Sequence, residues 1–122
     1  MEVMIWLWDR KTSPLGVYER TEIKQIVVNG EPKDVKFLVY AALRDGSRNT
    51  DVVSFVIDRF SMIQSGQVEV DLLDFVKTAL SLSRRNDELY LQGVEFGIEF
   101  TNQDQKFNLE LNKFKIDQML VR

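Results

Sequence analysis

The segment VYERTEIKQIVVNGEPKDVKFLVYAAL, residues 17–43, decides the fold class. It opens with a long extended stretch from Val17 to Val28 and then reaches Asn29-Gly30, the dipeptide most typical of a two-residue hairpin turn. The residues that follow the turn, VKFLVYAAL at 35–43, predict the returning strand. Two long strands joined by so tight a turn predict an antiparallel β-hairpin.

The segments on either side of this hairpin also predict strands. Residues 2–8 alternate between two faces, as a strand requires. One face carries Val3, Ile5 and Leu7, and the other carries Glu2, Met4, Trp6 and Trp8. After the hairpin, Asp45-Gly46 predicts a turn and DVVSFVIDRF predicts a strand at about 51–60.

One helix interrupts the strands. Apolar residues recur at helical spacing in DLLDFVKTALSLS, which predicts a helix over about 71–83 with Asp71 as its N-cap. Further strands are predicted at 89–101 and 106–116, with NQDQ as the loop between them. The pattern therefore predicts a single all-β domain over residues 1–122, an antiparallel β-sandwich of two packed sheets with one short helix.

Composition excludes several kinds of chemistry. The chain has 122 residues, no cysteine, no histidine and a net charge of −3. Disulfides, thiol nucleophiles, imidazole catalysis and most zinc sites are therefore excluded. No basic segment indicates a nucleic-acid partner, and the apolar start is too short to span a membrane and lacks the basic region of a signal peptide.

The stretch VEFGIEF, residues 94–100, places carboxylates and a glycine on one strand face. Glu95, Gly97 and Glu99 alternate with heavy apolar residues. One interpretation is structural: the glycine accommodates a bulky neighbour and the glutamates are solvated. The other is catalytic, but Glu95 and Glu99 would lie roughly 13 Å apart along one strand, so a catalytic partner must come from another strand.

The first strand offers such a carboxylate. Glu2 shares its face with Met4, Trp6 and Trp8, while the opposite face is aliphatic. These aromatic rings could simply meet another part of the protein. They also suit sugar binding, because indole rings stack on the apolar faces of pyranoses and a carboxylate among them would lie at the reacting bond.

Several motifs together resemble glycoside hydrolase family 12. EVMIWL at 2–7, followed by PLG at 14–16, resembles the segment around the family's nucleophile, and YLQGVEFGIEF at 90–100 resembles its acid/base strand. NTDVVSFV at 49–56 and DLLDFVKTAL at 71–80 fall between them in the family's order. The resemblance implies a concanavalin-like β-jelly roll and a retaining endo-β-1,4-glucanase that acts on β-glucan or cellulose. It implies neither a cofactor nor a metal.

The resemblance also implies roles for particular residues. Glu2 matches the nucleophile and Glu99 matches the acid/base. Met4 and Trp6 match cleft positions beside the nucleophile, and Trp8 extends the same predicted sugar-binding face. Glu95 matches no catalytic position and is interpreted as a carboxylate flanking the cleft, while Gly97 would keep the face open where the sugar chain passes.

This chain departs from the family in three respects. Met1 stands where the family has an aromatic residue, and Ile98 stands where it has threonine. The motifs also correspond to the C-terminal half of the family's domain. We therefore expect an oligomer, or association with a polypeptide that supplies the N-terminal portion, and little activity from an isolated monomer.

Two other functions remain open at this point. One is a carbohydrate-binding β-sandwich without turnover, and the other is an inactive fragment that assembles with another chain.

Overall fold

A computed structural model describes residues 1–9, 12–83, 92–95 and 113–115. The chain divides into two compact units, Met1–Asp87 and Glu88–Arg122. β-strand is the main regular structure of the described part, which also has one short helix. The prediction of a β-rich chain with a single short helix is confirmed at this level.

The first unit contains a five-stranded sheet and the helix. Its elements are β1 (Glu2–Trp6), β2 (Val17–Val28), β3 (Glu31–Ala42), β4 (Val52–Ile57), β5 (Val68–Glu69) and α1 (Leu72–Ser83). The strands lie in the order β1-β4-β3-β2-β5.

The central hairpin forms where the sequence predicts it. β2 pairs with β3 in antiparallel register, and Val28 faces Glu31 across the turn. Asn29 and Gly30 both have positive φ, 51° and 81°. Two left-handed residues in succession define a type I′ turn, whose twist matches that of the strands it joins. The Asn-Gly dipeptide therefore sets the register of the two longest strands.

The prediction of a purely antiparallel sheet is wrong at one pair. β1 runs parallel to β4, with Glu2 beside Val52 and Trp6 beside Val56. Parallel neighbours need a long crossover between them, and here the whole β2–β3 hairpin separates the two strands in sequence. The loop between β1 and β2 returns the chain before β2 begins, so β1 and β2 point the same way. The sheet is therefore mixed.

The short strand β5 was not predicted. It pairs with the end of β2 through Val27 and Val28. Asn29 holds it in place, since its backbone N–H donates to Gln67 O at 2.8 Å and its Oδ1 accepts from Gln67 N at 3.0 Å. The turn residue thus serves both the hairpin and the neighbouring edge.

The core lies on one face of the sheet, beneath α1. Its buried apolar residues are Ile26, Val28, Val35, Phe37, Val39, Ala41, Val53, Phe55, Ile57, Phe75 and Ala79. Phe75 of the helix meets the rings of Phe37 and Phe55 edge-on, at centroid distances of 5.3 and 5.0 Å. Each ring buried in this way contributes about 1.5–3 kcal/mol. The aliphatic face predicted for β1 packs against the same cluster through Val3, Ile5 and Leu7.

The helix is capped and anchored by polar contacts. Asp71 Oδ1 accepts from Leu73 N at 3.0 Å, which confirms the predicted N-cap. Lys24 projects from β2 onto this same covered face and is only 5% exposed. Its ammonium donates to Asp74 Oδ1 at 3.0 Å and to Thr78 Oγ1 at 2.8 Å. A buried ammonium needs such partners, so these contacts fix α1 over β2.

The turn predicted at Asp45-Gly46 forms and is closed by its first side chain. Asp45 Oδ1 accepts from the Ser47 amide at 2.7 Å, the Ser47 hydroxyl at 2.8 Å and the Arg48 amide at 3.1 Å. The Ser47 hydroxyl is the main reason that the pKa of Asp45 lies below its ordinary value, and the Ser47 amide adds to the effect. Each donor favours the ionised carboxylate.

This turn gives a pH prediction. Because the folded pKa of Asp45 is depressed, its stabilisation is fully present above the unfolded pKa and is lost as the pH falls through the folded pKa. Ser47→Ala should raise the pKa of Asp45 towards its ordinary value, as followed by NMR titration of the carboxyl carbon. Ser61→Ala, at another exposed turn serine, is the control. An unchanged pKa in Ser47→Ala would contradict the assignment.

The second unit is described at two short segments. Residues 92–95 lie outside any strand, with Val94 half-buried between the exposed residues Gly93 and Glu95. Residues 113–115 are exposed and likewise outside any strand. The strands predicted at 89–101 and 106–116 are therefore wrong at these positions, and the remainder of both lies outside the described residues.

Candidate functional site

The face of the sheet opposite α1 carries the predicted residues of β1. Val3 and Ile5 point into the core, so by alternation Glu2, Met4 and Trp6 project from the other face. Glu2 is exposed at the first position of the strand. Its backbone N–H donates to Asp51 O at 2.8 Å, which ties the start of β1 to the start of β4. The carboxylate is thus borne on a backbone that is hydrogen-bonded into the sheet.

Beside β1, the same face is formed by small buried residues of β4. Val52, Ser54 and Val56 pair in register with Glu2, Met4 and Trp6, and all three are buried. The Ser54 hydroxyl donates to Met4 Sδ at 3.7 Å. The thioether therefore lies over Ser54, and the residues of β4 on this face are covered.

Farther across the sheet, this face becomes aromatic again. Tyr40 of β3 pairs with Ser54, and Tyr18 of β2 pairs with Tyr40. The two rings meet edge-on at a centroid distance of 5.8 Å. Neither tyrosine was predicted as a site residue. The signal was available, because the Asn29-Gly30 turn fixes the pairing of the hairpin and so brings the two rings together.

No cation neutralises Glu2 in the part of the chain that is described. The ion pairs there are Arg20–Glu22 and Lys24–Asp74, both on the face covered by the helix or at its edge. Asp51 directly precedes Val52, the residue that pairs with Glu2. Its carboxylate is buried and accepts a hydrogen bond from the Arg44 amide. Asp51 therefore closes the loop before β4, and Glu2 is the solvent-facing carboxylate at this end of β1.

Trp8 differs from the other residues predicted on this face. β1 ends at Trp6 and Leu7 lies in a bend, where its carbonyl accepts from Ile63 N at 2.8 Å. The strand alternation that would align Trp8 with Trp6 stops before it. Trp8 is 41% exposed beyond the strand end, so it borders the end of the face rather than continuing the regular row.

The structure brings together part of the predicted site. Glu2, Met4 and Trp6 lie on one strand face. Glu95 is exposed in the second unit. Glu99 and Gly97 lie outside the described residues, so the predicted pairing of Glu2 with Glu99 and the open space predicted at Gly97 stay predictions.

Other features of the described residues do not lead to a competing site. A surface depression is lined by Glu19, Leu43, Ser81 and Leu82, none of them a predicted site residue. Among residues 1–9, 12–83, 92–95 and 113–115, no group of three or more acidic side chains is arranged to hold a metal ion. Nor does any helix there have the length and apolar character needed to cross a bilayer.

Comparison of the chain with models of known protein families and with curated proteins finds no match. The function proposed below therefore rests on the residues and their geometry.

Proposed function

We propose that this chain is a retaining endo-β-1,4-glucanase-type glycoside hydrolase acting on β-glucan or cellulose. One observation carries the proposal. Glu2 is an exposed carboxylate with no cationic partner among the described residues, and it heads the strand face that bears Met4 and Trp6. An exposed carboxylate on the same strand face as an indole suits a reacting glycosidic bond.

In the proposed reaction, one glutamate is the nucleophile and the other is the acid/base. Glu2 attacks the anomeric carbon and forms a glycosyl ester, while Glu99 gives its proton to the departing sugar oxygen. Glu99 then takes a proton from water, which attacks the same carbon and releases Glu2. Two displacements leave the configuration at the anomeric carbon unchanged. The mechanism requires the two carboxyl groups to lie about 5–5.5 Å apart.

The proposed architecture is a jelly roll with a concave sugar-binding face. The alternation along β3 supports this proposal, because one side of the strand is fully buried and the other side is less so. In β3, for example, Phe37 and Val39 are fully buried, whereas Tyr40 on the other face is half-buried.

Hydrolysis of a soluble β-glucan tests the proposal. New reducing ends should appear within the polymer, and NMR of the first products should show the β-anomer before mutarotation. Binding of β-glucan without new reducing ends would favour the carbohydrate-binding sandwich. Products that first appear as the α-anomer would contradict a retaining mechanism.

Replacement of Glu99 tests the acid role separately. Glu99→Gln removes the proton donor, so hydrolysis of β-glucan, whose leaving group is a sugar alkoxide, should fall by roughly 10²–10⁴-fold. Aryl glycosides with acidic phenol leaving groups need little protonation, and their first step should change far less. Glu31→Gln, at an exposed glutamate beside the Asn29-Gly30 turn, is the control. Equal losses on both substrates would contradict the assignment of Glu99 as the acid.

We also propose that the active form is associated, with a second copy or with a separate polypeptide. The aliphatic residues of β1 support this, because Val3 and Ile5 pack on the core yet are only partly buried. Covering such side chains would contribute on the order of 1 kcal/mol each. Sedimentation should therefore show assembly that increases with protein concentration, together with rising specific activity. A stable monomer that cleaves β-glucan unaided would exclude this proposal.

A further inference from the structure

Two tyrosines form an aromatic surface at a distance from the proposed nucleophile. Tyr18 and Tyr40 stand on the sheet face that also bears Glu2, and their rings meet at an interplanar angle of 69°. Tyr18 is 52% exposed. Its hydroxyl is hydrogen-bonded to Thr21 Oγ1 at 2.9 Å, which restricts the rotation of an otherwise open ring. Tyr18 is therefore accessible, and it contacts both Thr21 and the half-buried Tyr40.

The strand register connects this pair with the region of the nucleophile. Met4, Ser54, Tyr40 and Tyr18 are consecutive partners across β1, β4, β3 and β2. Neighbouring strands are about 4.8 Å apart, so Tyr18 lies roughly 14 Å from Met4 across the sheet. A ligand that touches both ends must be elongated and must cross the strands.

The chemistry of the pair suits a sugar chain. A tyrosine ring offers an apolar surface to the C–H groups of a pyranose, and its hydroxyl can exchange hydrogen bonds with sugar hydroxyls. Two rings held edge to face lose little conformational freedom on binding. We infer that Tyr18 and Tyr40 form a second sugar-contacting surface, which makes an oligosaccharide of several β-linked glucose units the preferred ligand over a disaccharide. This inference rests on the proposed function, because it places the glucan on the face that bears Glu2.

Calorimetric titration with cellobiose and cellohexaose tests the inference. The measurements use the full chain with Glu2→Gln, so that the ligand is not consumed. We expect cellohexaose to bind more tightly than cellobiose. Adding Tyr18→Ala should weaken cellohexaose binding by roughly two- to tenfold and leave cellobiose binding unchanged. Tyr18→Phe, which keeps the ring, should retain most of the affinity.

Two further variants make the experiment decisive. Leu73→Ala removes a half-exposed apolar side chain from α1, which lies on the opposite side of the sheet. It should change neither titration. Tyr40→Leu removes the other ring and provides an independent measurement, with thermal unfolding as the check on its fold.

The possible failures are distinguishable. Unchanged cellohexaose affinity in both tyrosine variants, or equal losses for the two sugars, would overturn the inference and leave the proposed function in place. A different result would overturn both proposals. In that case the Glu2→Gln chain binds neither sugar, and the unsubstituted chain neither binds nor cleaves β-glucan.

Discussion

Replacement of Glu2 by glutamine is expected to lower the hydrolysis of soluble β-glucan by at least about a thousandfold, because loss of a catalytic nucleophile removes the covalent route itself. Glutamine has nearly the same size and shape. Glu2 is exposed and makes no side-chain hydrogen bond or ion pair with the described residues, so the fold should be unaffected. The measurement is the rate of reducing-end formation, with unfolding curves to confirm equal stability.

Glu31→Gln is the matched control for this substitution. Glu31 is likewise an exposed glutamate at the first position of a strand, but it lies beside the Asn29-Gly30 turn, far along the sequence from the proposed site residues. It should retain full activity. A comparable loss in both variants, or full activity in Glu2→Gln, would exclude Glu2 as the nucleophile.

Covalent trapping tests the same role without requiring turnover. A 2-fluoro-cellobioside with a good leaving group should form an ester with the nucleophile, and the electron-withdrawing fluorine should slow its hydrolysis. Mass spectrometry of the intact chain should show one added glycosyl group, and peptide mapping should place it on Glu2. The Glu2→Gln chain should remain unlabelled. Labelling of Glu95 or Glu99 instead would reassign the nucleophile.

The central hairpin and the helix were predictable because local residues determine them. Asn29 and Gly30 accept the positive φ values of a type I′ turn, and this fixes the pairing of β2 with β3. In α1, Asp71 supplies the cap that the exposed first-turn amides need, so the helix begins one residue after it, at Leu72. Both features depend on contacts between residues close in sequence.

The partner of β1 was not predictable in the same way. Its alternation correctly gave the buried face, which packs on the core through Val3 and Ile5. The pairing with β4, however, joins residues about fifty positions apart, and nothing local records whether the intervening chain reverses or crosses over. β5 was not predicted for a related reason. A strand of two residues is too short to show an alternating pattern, and its position depends on a hydrogen bond to Asn29, which is distant in sequence.

For the candidate site, the sequence predicted the residue types and the strand face that they share. It did not predict how far along the chain that face extends. Glu2, Met4 and Trp6 follow from alternation along one strand, whereas Trp8 lies past the bend at Leu7 where that alternation ends. Tyr18 and Tyr40 required the register between two strands. The acid/base role of Glu99 depends on the resemblance and stays a prediction.

Gly16→Ala is expected to be the most destabilising alanine substitution among the glycines that the structure describes, because the backbone and the surrounding space both oppose a side chain there. Gly16 has φ of +95° at the end of the loop that leads into β2. An added Cβ would lie 2.1 Å from Ala41 O and 2.3 Å from Ala41 C, which are backbone atoms of the central strand β3. Relief would require β2 and β3 to separate where their pairing begins.

Two other glycines divide this effect into its components. At Gly30 φ is +81° but nothing lies within 4 Å of an added Cβ, so Gly30→Ala should lose only the conformational term, on the order of 1–2 kcal/mol. At Gly46 there is open space without the positive φ, so Gly46→Ala should change stability by less than about 0.5 kcal/mol. Gly16→Ala adds the collision with Ala41 to the conformational term and should lose at least about 3 kcal/mol.

Urea unfolding of the three alanine variants measures this order directly, through the midpoint and the slope of each transition. A loss of that size would be a large part of the 5–15 kcal/mol that stabilises a typical domain, so we expect Gly16→Ala to be recovered in reduced yield. Equal stabilities for Gly16→Ala and Gly30→Ala would mean that the loop does not press against β3. The close approach matters for the site as well, because the loop that ends at Gly16 is what carries the chain from the strand of Glu2 to the strand of Tyr18.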